Sequence, residues 1–408
     1  MAGDVVPADI DPMLQEYYAD GFKDMVYDVS GSVFASLEKK EDCSGRRYDQ
    51  PTRYGRNNGR SRKFDKAQSN RSANKNAVFL VPWCEDFGVV SISRSAIKQA
   101  SGKASFIKET TDETDAVLKN IGRNAGISIF RGSGGMRGQI SAGYSSGTTV
   151  TLNDIEEITN FEKGDWINFS SADGNTASDT LTQSAGLDLR RQIVSIDRDA
   201  GTITFDASTG LAASLYMFVE GDFQASCNGL IEWCPTTAPG ATAFLGVDRT
   251  PDSRLYGTRV SALNVSINEA VKRGLARMGR EGAHPDTVVM NHAKAMQWEL
   301  ELDNKVVWTD TNVGASSVTV QTAKFVSSDG RKATVMVDKN CQDDLIWIFE
   351  KGALKVVSIG PVPDVVDDDG VTILREAASN GFEFRADATY NLTVEDTHAV
   401  CVLTVESD

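Results

Sequence analysis

Residues 44–75 read SGRRYDQPTRYGRNNGRSRKFDKAQSNRSANK, and how this stretch is accommodated decides the fold. It holds ten basic residues, Arg46, Arg47, Arg53, Arg56, Arg60, Arg62, Lys63, Lys66, Arg71 and Lys75, against Asp49 and Asp65, a net of +8. The 408-residue chain carries −15, so everything outside the stretch carries −23. A cationic limb on an anionic body is self-complementary, the charge pattern of a subunit that lies across its own neighbours. Residues 41–76 have almost no aliphatic side chains and cannot bury enough apolar surface to fold alone. Two readings follow: a disordered loop, or an extended excursion ordered by adjacent subunits and anchored by Tyr48, Tyr54 and Phe64.

Ahead of this stretch, residues 1–40 read as an arm. Asp11-Pro12 is a helix-entry signal, and Leu14, Tyr17, Tyr18, Phe22 and Met25 recur at helical spacing. Val26, Val29, Val33, Phe34 and Leu37 continue an apolar face that needs a partner. The start at Met1 resembles neither a secretory signal nor a basic transit peptide.

Behind it, residues 77–83 and 88–93 look like strands. Leu118, Ile121, Ala125 and Ile129 predict a helix over 105–130, followed by a glycine corner at Gly132-Ser133-Gly134-Gly135. Residues 148–220 change to short alternating strands with Asp197–Gly201 as a hairpin turn, the pattern of a small barrel or sandwich. Ser266-Ile267-Asn268-Glu269 is a capping box that opens a helix, with Gly282 as its stop. A strand at 287–290, a second helix near 292–302 and strands through 317–360 complete an α/β unit, and closing strands run to 405.

Chemistry is sparse. Gly132-x-Gly134-Gly135-x-x-Gly138 follows a helix and opens no other, the reverse of a dinucleotide loop. His284, His292 and His398 do not share a metal-binding spacing, and Asp367-Asp368-Asp369-Gly370 lacks the twelfth ligand of a calcium loop. The six cysteines form no C-x-x-C pair and read as reduced thiols, several of them buried. No catalytic pair, cofactor site or metal site is predicted, and no apolar run reaches the ~18 residues of a membrane span. The acidic bulk argues against general affinity for nucleic acid.

In the order of its segments the chain resembles the major capsid (coat) proteins of tailed bacteriophages. The local phrases Asn124-Ala125-Gly126, Cys227-Asn228-Gly229-Leu230-Ile231-Glu232 and Leu245-Gly246-Val247-Asp248-Arg249 add to the likeness. The resemblance implies an α+β capsid fold with an N-terminal arm (1–40), an extended basic loop (41–95) and a peripheral domain with a spine helix (96–147). An inserted β-barrel-like module (148–225), a peripheral return (226–260) and an axial α/β domain (261–375) follow, and C-terminal strands (376–408) rejoin the periphery.

It further implies a non-enzymatic virion subunit that forms hexamers and pentamers of itself in an icosahedral shell around double-stranded DNA, without sequence-specific binding. The shell would be assembled in the host cytoplasm with a separate scaffolding protein or none, a portal and a decoration protein. The candidate contacts between subunits are Arg46, Arg47, Arg53, Arg56, Arg60, Arg62, Lys63, Lys66, Tyr54 and Phe64. Lys39, Lys40, Lys63 and Lys66 lie in or beside the loop, and no covalent cross-link is predicted for them. The rival readings are a nanocompartment shell of the same fold, a tail or decoration protein, and an enzyme with a sugar platform of Trp166, Tyr216 and Phe218.

Overall fold

The computed structural model describes residues 33–93, 103–184, 186–302, 324–326, 330, 332–366, 373–375 and 381–406. The arm through residue 32, the expected strand at 318–320 and the acidic turn at 367–369 lie outside the described residues. The chain opens with α1 (Val33–Ser36), β1 (Glu38–Lys40), β2 (Tyr48–Gly55), α2 (Phe64–Ser69), β3 (Lys75–Val81), β4 (Cys84–Ser93) and the long helix α3 (Lys103–Ser128). Then come β5 (Gly138–Gln139), β6 (Thr149–Thr151), β7 (Trp166–Ser170), β8 (Gln183–Ser184), β9 (Leu187–Asp188), β10 (Arg190–Asp197), β11 (Thr202–Phe205) and β12 (Tyr216–Val219). Next are α4 (Leu230–Trp233), β13 (Thr258–Ser261), α5 (Ile267–Glu281), β14 (Thr287–Met290), α6 (His292–Leu302), β15 (Lys324–Val326), β16 (Lys332–Val337) and β17 (Leu345–Phe349). The chain closes with β18 (Leu354–Ser358), β19 (Asp364–Val365), β20 (Ile373–Arg375), β21 (Gly381–Val394) and β22 (Val400–Thr404).

The first sheet is built on β21, which bonds β4 along one edge and β18, β19 and β20 along the other, with β1 beside β18. Helix α3 packs on this sheet. Its predicted stripe supplies buried Ile121, Ala125 and Ile129 to a core shared with Phe34, Phe79, Trp233, Tyr390 and Leu392. The approach is close enough to demand glycine on β4: a Cβ at Gly88 would lie 2.3 Å from Val117 Cγ1.

The second sheet runs β5-β12-β7-β10-β11-β6. Its two ends meet, because Ser141 N donates to Thr151 O at 2.9 Å and Asn153 N donates to Gln139 O at 2.8 Å. Ile140, Val150, Ile167, Phe169, Ile203, Phe205 and Met217 fill the interior. At the predicted hairpin turn Asp197 Oδ1 accepts from Asp199 N and Ala200 N, each at 3.1 Å, and Gly201 takes φ 61°. The sheet draws in Gly138–Gln139, ahead of the expected boundary at 148. Trp166, Tyr216 and Phe218 do not form an open sugar platform: Phe218 is fully buried and the Arg190 guanidinium lies 3.8 Å over the Trp166 ring.

The third sheet runs β13-β22-β17-β14-β16-β15, with α5 and α6 packed beside it. Ser266 Oγ accepts from Glu269 N at 3.2 Å, and Gly282 ends α5 in the left-handed region. The Glu301 carboxylate from α6 accepts from Ile267 N and Asn268 N at 2.9 and 3.2 Å, placing negative charge at the helix start.

Two expected boundaries are corrected here. Residues 354–375 were expected in the α/β unit, yet β18, β19 and β20 belong to the first sheet. The C-terminal strands were expected to return together, yet β22 enters the third sheet between β13 and β17. The chain crosses between the sheets twice, and the crossings are tied: Glu350 N donates to Ala399 O at 3.1 Å and Glu395 N donates to Ala353 O at 2.9 Å. Alternation in sequence marks a strand but not which strand it pairs with.

Candidate functional site

The basic stretch is a hairpin and not a structureless loop. β2 and β3 pair antiparallel from Tyr48↔Val81 to Gly55↔Lys75, and α2 sits at the far end. Alternation explains the mount. Gln50, Phe79 and Val81 are buried, Tyr48, Tyr54 and Ala77 pack on the first core, and Asp49, Pro51 and Arg53 face outward. Pro51 is tolerated because β2 is an edge strand with one neighbour. Phe79 meets the Trp233 ring edge-on at 5.1 Å. Beyond the ladder, Asn57 N donates to Asn74 Oδ1 at 3.2 Å and Asn58 N donates to Ser72 Oγ at 3.0 Å, closing the tip on itself.

The candidate residues divide by position. Arg46 and Arg47 stay at the base, where Arg47 pairs with Asp49 at 2.8 Å. Arg53 lies on the outer face of β2. Arg56, Arg60, Arg62, Lys63 and Lys66 gather at the tip with Arg71, all exposed, and among the described residues no ion pair joins them to this chain. Tyr54 is half-buried against the core, whereas Phe64 anchors nothing here: it is 81% exposed, and α2 buries none of its residues. The tip thus brings an exposed aromatic and several exposed cations into one short segment, and aromatic side chains contribute most to binding energy where they become buried.

The mount contains residues that the sequence reading quoted only as phrases. Asn391 on β21 donates through Nδ2 to Pro82 O at 2.7 Å and to Asn228 Oδ1 at 3.0 Å, and its Oδ1 accepts from Asn228 N at 2.9 Å. Asn228 Nδ2 donates to Glu232 Oε2 at 2.6 Å, while Glu232 Oε1 accepts from Ser133 N and Ser133 Oγ at 3.0 and 2.6 Å. Arg249 donates to Glu232 O at 2.7 Å and lies 4.2 Å over the Phe244 ring, and burial pulls its pKa down to about 10. Leu245 O in the adjoining turn accepts from Leu80 N on β3 at 2.9 Å. The phrases at 227–232 and 245–249 thus converge beneath the hairpin. Their legible signal is a set of polar residues and glycines inside apolar runs.

The glycine corner serves packing. A Cβ at Gly134 would lie 2.3 Å from Asp173 O, and one at Gly135, which has φ 80°, would lie 2.1 Å from Asp222 O. The corner is therefore filled by the chain's own backbone and leaves no cradle for a phosphate. Three arginines bolt the second sheet's unit to α3 and this corner: Arg123 to Glu162 at 3.2 Å, Arg131 to Glu157 at 2.7 Å, and Arg137 to Asp222 at 2.7 Å. All six cysteines are free; Cys43 is half-buried and the other five are buried, with burial raising Cys84 and Cys234 to about 12. Among the described residues no cluster of three or more His, Cys, Asp or Glu is arranged to hold a metal, and no helix is long and apolar enough to cross a membrane.

No family model matches the chain, and no curated protein matches it in sequence. Solved structures do match in fold. The capsid of an empty GTA particle aligns with a TM-score of 0.55 at 10% identity, covering 100% of both chains. The capsid of the native GTA particle gives 0.53 at 11%, again covering 100% of both. The capsid of cyanophage A-1(L) gives 0.54 at 11%, covering 96% of this chain and 97% of that one. At these identities the likeness is one of fold, and it extends over the whole chain.

Proposed function

We propose that this chain, which has the fold of those capsid subunits from end to end, is the major capsid protein of a tailed double-stranded DNA bacteriophage. It assembles with itself as hexamers and pentamers into an icosahedral shell that encloses the genome. The observation that carries this reading is the full-length agreement in fold with capsid chains.

The hairpin gives the reading its physical basis. Among the described residues its tip cations form no ion pair within their own subunit, and the remainder of the chain is strongly acidic. One exposed ion pair contributes only ~0.2–1 kcal/mol, but repetition over every subunit sums to a stable and still correctable shell. The third sheet with α5 and α6 is the axial domain, and the first sheet with α3 is the peripheral domain. The second sheet is an inserted barrel-like module, a reading supported by the meeting of its two ends at Ile140 and Leu152. The anionic remainder keeps packaged DNA from adhering to the wall. A scaffolding protein, a portal and a decoration protein are the further partners, and the host cytoplasm is the place of assembly.

Electron microscopy of the expressed chain tests the proposal. Closed hollow shells are expected. Tubes would point to a tail protein, and a monomer at every concentration and ionic strength would end the capsid reading.

A further inference from the structure

We propose that residues 25–32 of the arm dock along the open face of α6 in their own subunit, an inference that goes beyond the shell reading and does not depend on it. α6 turns Lys294, Ala295 and Trp298 inward, and Asn291 caps its start by accepting from Lys294 N through Oδ1 at 2.8 Å. The other face carries Met296 and Leu300, four residues apart and so on one side of the helix, at 59% and 72% exposure. At the foot of the helix, Val337 is in register with Met290. Val337 alternates with Ala333 and Val335, which face the core that Ala295 and Trp298 close, so it lies on the α6 side of the sheet. It too is open, at 37% exposure.

The place where the described chain begins selects the occupant. Val33 N donates to Asp338 Oδ2 at 2.7 Å. Asp338 follows Val337 directly, and its own N donates to Met290 O at 3.0 Å. The arm therefore enters the fold at the foot of α6. Met25 and Val29 precede Val33 at intervals of four, with Val26 beside them, which is the spacing of Leu300 and Met296. Val33 itself is seated in the first core, so the stripe that the sequence leaves unpartnered continues outward from a fixed end.

Reach and area favour the chain's own arm. Eight residues of helix cover ~12 Å, against ~16 Å for α6. Run antiparallel to α6 from the Asp338 anchor, Val29 meets Met296 and Met25 meets Leu300. Three open apolar side chains fall far short of the roughly 20–30 residues a side that hold separate chains together. The anchor removes that requirement, because a tethered segment meets its seat at an effective concentration of about millimolar.

The test uses the full chain carrying Val29→Cys and Met296→Cys, treated with a mild thiol oxidant, with each single variant as control. Peptide mapping should find positions 29 and 296 joined by a disulfide in protein that runs as a monomer on a non-reducing gel, and in neither control. The same link in a dimer band overturns the proposal, because the arm on α6 then belongs to a second copy. No link overturns it as well. Should the double variant not fold, trypsin decides with a surface substitution. Lys23 is the one basic residue ahead of Lys39. Met296→Asp should be cut after Lys23 about tenfold faster than the unsubstituted chain, with the rest of the digest unchanged. Equal rates overturn the docking.

Discussion

The side-chain amide of Asn391 bonds Pro82 O at 2.7 Å and Asn228 Oδ1 at 3.0 Å, so one residue of β21 fastens both the root of the basic hairpin and the turn after Cys227. Replacing Asn391 by Ala leaves the backbone N and side-chain Oδ1 of buried Asn228 without these partners and frees Pro82 O, which lies nearer solvent. Each stranded group costs about 1–3 kcal/mol. Urea denaturation of Asn391→Ala should show a loss of about 3 kcal/mol or more, and a loss under ~1 kcal/mol would mean that solvent satisfies these groups.

Gly229 is held by sterics. A Cβ there would lie 2.0 Å from Arg131 O and 2.4 Å from Ser128 O, both backbone atoms at the end of α3. Such atoms cannot rotate aside. Gly229→Ala should therefore destabilise by about 3 kcal/mol or more, seen as a lowered thermal midpoint.

The Arg131–Glu157 pair is almost wholly buried, its side chains 5% and 10% exposed. Arg131→Leu strands a buried carboxylate and should cost about 3–5 kcal/mol. The double change Arg131→Leu with Glu157→Leu removes both charges and should cost markedly less. A double variant as unstable as the single one would show that the pair acts through its other hydrogen bonds.

Arg53, Arg56, Arg60 and Arg62 are exposed and, among the described residues, outside any ion pair, so changing all four to Glu should leave folding almost untouched. Light scattering should find a soluble monomer that no longer assembles. Raising salt on the unsubstituted chain should weaken assembly in the same direction, because exposed charges are screened over about 10 Å at 0.1 M. Normal assembly of the quadruple variant would remove the hairpin's cations from the mechanism.

Asp86 on β4 has its carboxyl raised to about 6, first by burial and then by Asp222, with Arg137 and Asn124 opposing. The folded state then holds this proton more tightly than the unfolded state, whose carboxyl stays near 3.8. The contribution to stability therefore grows as pH falls through about 6 and levels off below 3.8. Asp86→Asn imitates the protonated form. It should melt higher than the parent at about pH 7.5, with the advantage shrinking by about pH 5. An advantage that does not change with pH would exclude Asp86 as the titrating group.

Local order was written in the sequence. The apolar stripe of α3, the Ser266 cap with the Gly282 stop of α5, and the turn at Asp197–Gly201 follow from side-chain spacing and glycine chemistry, which act over a few residues. The charge asymmetry was equally plain, because it is a property of composition. What only the tertiary structure decided was partnership. It sent β18 and β22 into opposite sheets from those expected, paired β2 with β3 to make the basic stretch a hairpin, and drew Ser133, Asn228, Glu232 and Asn391 into one part-buried network. Pairing depends on contacts between residues far apart in the chain, and a strand's own alternation is satisfied by any neighbour with a matching face.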